Sequence, residues 1–187
     1  MTNLYYGTVT NLRARQAITD AFFTVLKEKH FSHITITDII TQAGVARSTY
    51  YHNFYNKEEI INAYMNSIYK KLLVSENIKN DKSLPQMINS EKLFRGIETS
   101  FSLLLKDRER ILLIYNNGFG NMIQKMLNQH AQKIFANLAQ KDHYRIYFIA
   151  GAMQNVLLEW LESGMSESPT EMAHILIGLL QNNSLWE

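Results

Sequence analysis

The sequence has no cysteine and, among its 187 residues, only two prolines and eight glycines. Without cysteine, a disulfide framework and thiolate chemistry are both excluded. The scarcity of proline and glycine argues against disorder and against a chain with many turns. The longest apolar run, from Ile146 to Met153, is far short of a membrane span, and the opening MTNLYYGTVTNLRAR lacks the apolar core of a signal peptide. These absences predict a soluble cytoplasmic protein without a membrane partner.

The net charge of +2 is small, but its distribution is uneven. Residues 1–72 hold eight Lys and Arg against five Asp and Glu, whereas residues 73–187 hold eleven against twelve. A basic excess in one part of a chain is the electrostatic footprint of a nucleic-acid-binding region. The alternative is a chance fluctuation of a solvated surface.

The stretch from Thr35 to Lys57 reads as two short helices joined by a tight turn. Thr35 is a candidate N-cap residue, and Asp38 completes a capping-box-like pair three positions later. Apolar residues then recur at helical spacing until Gly44, whose tolerance of positive φ suits a helix end and a sharp turn. Val45 follows as an apolar turn residue that can pack under both helices.

The second helix of this pair, which begins near Arg47, is unusually rich in hydrogen-bonding side chains. Phe54 is its apolar anchor. The helix therefore has few apolar side chains to bury and many side chains that can form hydrogen bonds with a base edge or a phosphate. The alternative is a surface helix that carries tyrosines by chance. Its polar and aromatic residues are Arg47, Ser48, Thr49, Tyr50, Tyr51, His52 and Asn53.

Lys57 adds a separate argument for an anionic partner. Asn56 is the predicted N-cap of the following helix, with Glu59 at its third position. Lys57 then lies in the first turn, where the helix dipole disfavours a cation by roughly 0.3–1 kcal/mol. An anion that docks against both the helix N-terminus and the ammonium would explain a lysine at this position.

Together these residues resemble the helix-turn-helix of the TetR family of transcriptional regulators. The matching residues are Thr35, Ile39, Ala43, Gly44, Val45, Thr49, Tyr51, Phe54, Lys57, Glu58, Glu59 and Ile60. The departures are Ala46, where the family often has a capping serine, and Ile40, where a small residue is usual. Ser48 is the alternative cap, and it would shorten the second helix.

The resemblance implies a set of residues that contact DNA. Tyr51 matches the family tyrosine that usually meets phosphate, and Lys57 is the second predicted phosphate contact. The candidates for base edges are Arg47, Thr49, Tyr50, His52 and Asn53. Before the helix-turn-helix, residues 1–10 are polar and predicted to be loose, and a helix is predicted from about Asn11 to Lys29 with Ile18, Phe22, Val25 and Leu26 on one stripe. Arg13 and Arg15, in the first turn of this helix, are either phosphate clamps or ordinary solvated charges. The full predicted set is Thr35, Arg47, Ser48, Thr49, Tyr50, Tyr51, His52, Asn53 and Lys57.

No β pattern competes with the helical one, so the chain is predicted to be all-α. The expected architecture is a three-helix DNA-binding head at residues 1–56, a connecting helix at 57–74 and a helical regulatory and dimerisation body at 75–187. Residues 75–90, polar and containing Pro85, carry the strongest loop signal. The body resembles the regulatory domain of the family in its arrangement only.

A small-molecule pocket is predicted around the sequence break Asn116-Asn117-Gly118-Phe119-Gly120. Methionine offers adaptable apolar contact, while tyrosine, asparagine and glutamine supply a few polar fixing points. The alternative is that these residues are simply core and loop. The predicted pocket residues are Tyr115, Asn116, Phe119, Met122, Gln124 and Met126.

The helix predicted at His143–Ser163 is apolar nearly all round, and a body this small is not expected to cover it alone. The last helix has a similar apolar excess, and Ser168-Pro169-Thr170-Glu171 predicts its start, with proline at the first helical position and glutamate completing a capping box. We expect these two helices to form a four-helix interface with a second copy. Periodicity leaves open which of their residues face the partner and which face the core of the body. The predicted interface residues are Met153, Leu157, Trp160, Leu161, Ile175, Leu176 and Leu179.

The sequence therefore predicts a ligand-responsive homodimeric regulator that acts as a repressor on a pseudo-palindromic DNA operator, with a small-molecule effector. Two alternatives stay open: a co-activator whose body binds a partner protein while DNA contact is secondary, and an enzyme with a helical fold. No G-x-S-x-G, H-E-x-x-H or paired-carboxylate arrangement occurs, so no enzymatic activity is expected. The His30 and His33 pair lacks a third ligand, so neither a metal nor a cofactor is expected.

Overall fold

The computed structural model describes residues 2–75, 89–134 and 143–181, and every regular element within these ranges is helical. The all-α prediction is confirmed. The predicted loop at residues 75–90 lies almost entirely outside the described ranges. The chain divides into two compact units, a head at Met1–Asn66 and a body at Ser67–Glu187.

The helices follow one another as the sequence indicated. The head contains α1 (Thr2–Glu28), a short 3-10 turn (Phe31–His33), α2 (Ile36–Ala43), α3 (Arg47–Asn53) and the start of α4 (Lys57–Ser75). The body contains the rest of α4, α5 (Glu91–Lys106), α6 (Arg108–Ile114), a π-helical turn (Tyr115–Phe119), α7 (Gly120–Ile134), α8 (His143–Glu162) and α9 (Pro169–Gln181).

The first helix starts at Thr2, although the sequence predicted a loose N-terminal segment and a start near Asn11. No proline interrupts this segment. Extending an existing helix also costs far less than nucleating one, because each added residue gains a hydrogen bond.

An apolar stripe on α1 organises the core of the head. Ile18, Phe22, Val25 and Leu26, which the sequence placed on one stripe, are all buried. They belong to a helix that packs against both α2 and α3. Burial of such side chains contributes about 1.5–3 kcal/mol each relative to exposure, so this stripe holds the helix-turn-helix in place.

The turn between α2 and α3 has the predicted geometry. Thr35 caps α2 through a complete capping box: the Asp38 N–H donates to Thr35 Oγ1 at 3.1 Å, and the Thr35 N–H donates to Asp38 Oδ2 at 2.8 Å. Gly44 ends the helix in the left-handed region with φ 64°. A side chain there would strain the backbone, so glycine is what permits the sharp turn.

In the body, α8 is packed on several sides, since α7 runs along it and α6 also contacts it. The ring centroids of Trp160 and Phe101 are 5.0 Å apart in an edge-to-face arrangement. Arg108 Nε donates a hydrogen bond of 2.8 Å to the carbonyl oxygen of Leu161. α9 packs against α5, so both apolar helices find partners within the chain.

This packing corrects the predicted dimer interface. Four of its seven residues are buried in the core of the body: Leu157, Trp160, Leu161 and Leu176. The expectation that the body was too small to cover them is wrong, because α5, α6 and α7 surround much of α8 and α9. Ile175 and Leu179 do face solvent, with 44% and 48% of their surface exposed, while Met153 is half-buried.

The start of α9 also agrees with its sequence signal. Pro169 is the first helical residue, the Ser168 N–H donates to Glu171 Oε2 at 2.7 Å, and the Glu171 N–H donates to Ser168 Oγ at 3.3 Å. These bonds lower the pKa of Glu171, because the Ser168 backbone and hydroxyl stabilise its carboxylate. The element boundary is therefore set by local chemistry.

Candidate nucleic-acid interface and body cleft

The short helix α3 has one exposed face and one buried face. Its exposed side chains are Arg47, Ser48, Tyr51 and His52, with Thr49 half-buried beside them. Positions i, i+1, i+4 and i+5 share one side of an α-helix. The structure therefore brings together a guanidinium, a hydroxyl, a phenol and an imidazole, all of which form hydrogen bonds with phosphates or base edges.

Tyr50 and Asn53 lie on the opposite face and are buried, with 0% and 7% of their surface exposed. This burial contradicts the base-reading role predicted for them, because neither side chain reaches solvent from this position. The sequence carried a partial signal for Tyr50, because Tyr50 precedes the apolar anchor Phe54 by four residues and shares its face of the helix, but this spacing does not identify what covers that face. The prediction treated all seven polar positions alike and did not divide the helix into faces.

Two polar atoms on the buried face have no hydrogen-bond partner within the described residues, Tyr50 Oη and Asn53 Oδ1. The amide nitrogen of Asn53 does donate, to the carbonyl oxygen of Thr49 at 2.9 Å. Burial raises the pKa of Tyr50 to about 12, so its phenol stays neutral. The Tyr50 ring instead supports its neighbour, since it meets the half-exposed Tyr51 ring edge-on at 5.5 Å between centroids.

Arg15 of α1 binds the end of α3. Its Nη1 donates a hydrogen bond of 2.7 Å to the carbonyl oxygen of Asn53, and its guanidinium carbon lies 4.2 Å from the centroid of the Phe54 ring. A cation at the C-terminal end of a helix also complements the helix dipole. Of the two alternatives for Arg15, phosphate clamp or solvated charge, neither describes this contact, whereas Arg13 is exposed.

Thr35 and Arg47 differ in whether they keep a hydrogen-bond donor available for a phosphate. The Thr35 hydroxyl donates to Asp38 Oδ2 at 2.8 Å and accepts from the Asp38 N–H, so its hydrogen is already used within the capping box. A phosphate oxygen can only accept, and it would have to displace Asp38. Arg47 Nη2 donates to Thr37 Oγ1 at 2.9 Å, which leaves its other N–H groups exposed for an anion.

Lys57 binds the 3-10 turn of the head. Its ammonium donates to the carbonyl oxygens of Phe31 at 2.7 Å and Ile34 at 2.9 Å, and it lies 4.3 Å from the centroid of the Phe31 ring. Sequence reasoning assigned Lys57 to phosphate and missed this role, since both carbonyl groups are distant in the chain. An ammonium has three donors, so one N–H remains after these two bonds.

The N-termini of α3 and α4 differ in how they agree with the sequence prediction. Ala46 is the N-cap of α3 and makes no side-chain hydrogen bond, so Ser48 does not shorten the helix as a substitute cap. At α4 the prediction is confirmed, because the Glu59 N–H donates to Asn56 Oδ1 at 2.8 Å. Between these helices lies Tyr55, a side chain that sequence reasoning passed over although it is 83% exposed.

A cleft of about 810 Å³ opens on the body beside the π-helical turn. Of the six predicted pocket residues only Tyr115 lines it. Gln124 instead donates to Asn128 at 3.0 Å on α7. Asn116 is exposed, and Phe119, Met122 and Met126 are half-buried. The cleft is lined by Tyr115, Asn155, Val156, Leu158, Glu159, Trp160, Glu162, Ser163, Ser166, Glu167, Met172 and Ile175.

Metal-binding clusters and membrane-spanning helices are both absent from the described part of the chain. No group of three or more His, Asp or Glu side chains in residues 2–75, 89–134 and 143–181 is arranged to hold a metal ion. Among the same residues, no helix has both the length and the hydropathy that crossing a bilayer requires.

The chain is similar to known regulators in both its head and its body. A family profile described as bacterial regulatory proteins, tetR family, matches residues 18–64, from α1 into α4. A second TetR profile, described as a transcriptional regulator C-terminal region, matches residues 91–182. Over 51 residues the chain is 41% identical to the uncharacterized HTH-type transcriptional regulator YxbF of Bacillus subtilis (strain 168), a stretch that is 27% of this chain and only 13% of that protein.

Two solved structures share the fold. The dihydroxyacetone kinase operon activator DhaS superposes with a TM-score of 0.62 at 16% identity, covering 89% of this chain and 93% of its own. The fatty acid degradation regulator FadR from Bacillus halodurans superposes with a TM-score of 0.58 at 21% identity, covering 90% and 95%. At these identities the likeness shows the fold alone. Because TetR profiles match both the helix-turn-helix head and the helical body, the chain belongs to the TetR family of DNA-binding transcriptional regulators.

Proposed function

We propose that this protein is a cytoplasmic, homodimeric repressor that binds a pseudo-palindromic operator through α3. The observation that carries the proposal is that α3 exposes one face while its opposite face is buried. The exposed face presents Arg47, Ser48, Tyr51 and His52. A rigid helix with hydrogen-bonding groups along one side is what a major groove accepts. Arg15 and Lys57 stabilise this arrangement from either side of the helix-turn-helix.

The homodimer is supported by apolar surface that remains outside the core of the body. Ile175 and Leu179 share one side of α9 and are both exposed, and Phe148 on α8 is exposed as well. Ile175 and Asn155 of α8 line the same cleft, so these parts of the two helices are neighbours. A homodimer carries two recognition helices, and successive major grooves on one side of a duplex are roughly 34–36 Å apart.

Gly178 supports a close approach between two copies. It lies inside α9, is exposed, and an added Cβ atom would meet none of the described residues within 4 Å. Glycine inside a helix costs about 1 kcal/mol relative to alanine, and the described part of the chain offers no steric reason for it. A helix of a second copy that packs closely against Gly178 would be such a reason, as small residues permit backbones to approach each other.

The Gly178→Ala variant tests whether α9 packs against a second copy, because the two alternatives predict different effects on the dimer. If α9 faces solvent, the substitution raises helix stability and leaves the oligomeric state unchanged. If a partner packs there, the added methyl group weakens the dimer even though the helix itself becomes more favourable. We expect a higher dimer dissociation constant by sedimentation equilibrium. An unchanged constant with a higher melting temperature would place the interface elsewhere.

For the effector we propose the cleft beside Tyr115 and a ligand that is an organic cation. Three glutamates, Glu159, Glu162 and Glu167, line the cleft, and the described lining includes no Lys, Arg or His. Its volume fits the range of about 300–1,000 Å³ that small-molecule sites occupy. Because Ile175 belongs to both the cleft and the proposed dimer surface, an occupant of the cleft would alter how the two copies pack and thereby change the separation of the two heads.

The effector proposal is tested with spermidine and with tetraethylammonium at matched ionic strength. We expect either cation to raise the melting temperature of the wild type and to change its operator affinity. The Glu162→Gln variant should lose most of this response, because the substitution removes a carboxylate from the cleft. If neither cation raises the melting temperature of the wild type, the proposal that the ligand is an organic cation is refuted.

A second candidate for the direction of regulation is activation, and one observation favours it: DhaS, which shares the fold, is described as an operon activator. Repression needs only occupancy of an operator that overlaps a promoter. Activation needs a further contact from the bound regulator. A reporter gene behind the recovered operator, with and without the regulator, separates the two.

The central experiment is selection of bound duplexes from a random pool, followed by sedimentation of the complex. We expect an enriched pseudo-palindrome bound by two protomers. If no duplex is enriched by the purified protein alone, while a partner protein restores binding, the co-activator alternative replaces this proposal. The spacing of the recovered half-sites also reports the separation of the two heads.

A further inference from the structure

Tyr55 lies in the turn between α3 and α4, outside the recognition helix, and 83% of its surface is exposed. A single exposed aromatic residue is common on protein surfaces. Tyr55 differs from the ordinary case because its backbone is anchored and because of what lies next to it. Its side chain forms no hydrogen bond, ring contact or ion pair with the described residues.

The backbone on both sides of Tyr55 is held in place. Phe54, the residue before it, is 1% exposed and has an extended conformation, with φ −145° and ψ 132°. The Tyr55 N–H donates to Glu59 Oε2 at 2.6 Å, and Asn56 caps α4. Consecutive side chains of an extended segment point to opposite sides, so the burial of Phe54 directs the Tyr55 ring to solvent.

The surroundings of Tyr55 hold charges of both signs and border the exposed face of α3. The first turn of α4 presents the positive end of the helix dipole, but it also carries Glu58 and Glu59, and Glu59 already accepts the Tyr55 N–H. The ammonium of Lys57 is two residues away and keeps one donor after its bonds to Phe31 and Ile34. Tyr51 and His52, on the exposed face of α3, precede Tyr55 by four and three residues.

We propose that Tyr55 is a DNA-backbone contact of this protein, with its phenol O–H donating to a phosphate oxygen beside the groove that α3 enters. The ring covers the adjacent deoxyribose. This inference rests on the proposed DNA-binding function and adds a residue to it. Because the phenol is neutral, the contact releases no counterion. It therefore contributes affinity that is independent of both base sequence and salt concentration.

The test compares the full-length wild type with Tyr55→Phe on two probes, the duplex recovered by selection and a mixed-sequence duplex of equal length. A hydrogen bond to a charged group is strong enough that we expect about a tenfold loss of affinity on both probes. The slope of log affinity against log salt should stay as in the wild type. Tyr55→Ala should lose more, because it also removes the ring.

Tyr144→Phe is the matched control, since Tyr144 has the same exposed fraction but lies on the body. It should bind both probes as the wild type does. The inference is overturned if Tyr55→Phe keeps full affinity, or if it loses affinity on the selected duplex only, which would be base recognition. A wild type that binds neither probe would instead refute the proposed function itself.

Discussion

Arg15 and Asn53 are joined by a hydrogen bond of 2.7 Å from the guanidinium of α1 to the last carbonyl oxygen of α3. The two residues are 38 positions apart in the chain, and the contact is partly buried. It ties the orientation of the recognition helix to the first helix of the head. The same guanidinium lies over Phe54, so a single side chain holds both the end of α3 and its apolar anchor.

Arg15→Ala is expected to lower the free energy of unfolding by about 1–3 kcal/mol, because it removes a charge-assisted hydrogen bond and a cation–π contact. Urea titration followed by circular dichroism measures the effect. Arg13→Ala is the control, since Arg13 is exposed on the same helix. Equal stability of the two variants would show that the Arg15 contact contributes nothing in solution.

Tyr50→Phe is expected to keep DNA affinity and to raise stability, or at least not to lower it. The substitution removes a buried hydroxyl that has no hydrogen-bond partner among the described residues, and replacing such a group by an apolar one is neutral or favourable. Tyr51→Phe, at the exposed neighbouring position, should weaken binding to every duplex alike. If Tyr50→Phe lost affinity for the operator at unchanged stability, Tyr50 would have to turn out of the core on DNA.

Lys57→Met should affect both folding and binding. Losing the bonds to Phe31 and Ile34 should cost about 1–3 kcal/mol of stability, while methionine keeps much of the packing over the Phe31 ring. If the third N–H meets a phosphate, the salt slope of binding also falls by about 1. We expect both changes. A stability loss with an unchanged slope would confine Lys57 to the fold.

Asp38 should make the head sensitive to acid. The hydrogen bond from the Lys29 ammonium, aided by the Thr35 N–H and hydroxyl, holds the pKa of Asp38 well below its usual range. The unfolded chain then binds more protons than the folded one at low pH, so this contribution is present above the unfolded pKa of about 3.9 and is lost as pH falls below it.

Asp38→Asn tests this pH dependence. The variant should melt below the wild type at pH 7, and the gap in melting temperature should narrow as the pH is lowered through 4 towards 2. A gap that stays constant across this range would show that the ionised carboxylate is not what stabilises the capping box.

Ile175 and Leu176 are adjacent residues with opposite surroundings, 44% exposed and 4% exposed. Ile175→Glu should yield a folded monomer with reduced operator affinity, because it places a charge in the proposed interface. Leu176→Glu should disrupt the body, because it buries that charge in the core. Sedimentation and circular dichroism separate the outcomes. A dimeric Ile175→Glu variant would remove α9 from the interface.

The parts of the fold that the sequence predicted well are those whose partners lie close together in the chain. The Thr35–Asp38 capping box, the turn at Gly44, the Asn56–Glu59 cap and the Ser168–Glu171 box each close within a few residues. Their hydrogen bonds and backbone angles depend on local residue types. The helix-turn-helix could therefore be recognised before its position in the fold was known.

The sequence by itself determined the helical class, the helix ends that local caps define, and the presence of a polar-aromatic recognition helix. Only the tertiary structure decided which side of that helix is available, since the buried side of Tyr50 and Asn53 is defined by contact with α1. It also gave Lys57 its two carbonyl partners, 26 and 23 residues away, and buried Leu176 rather than Ile175. These outcomes depend on which elements pack together, and an amphipathic period identifies an apolar face without identifying what covers it.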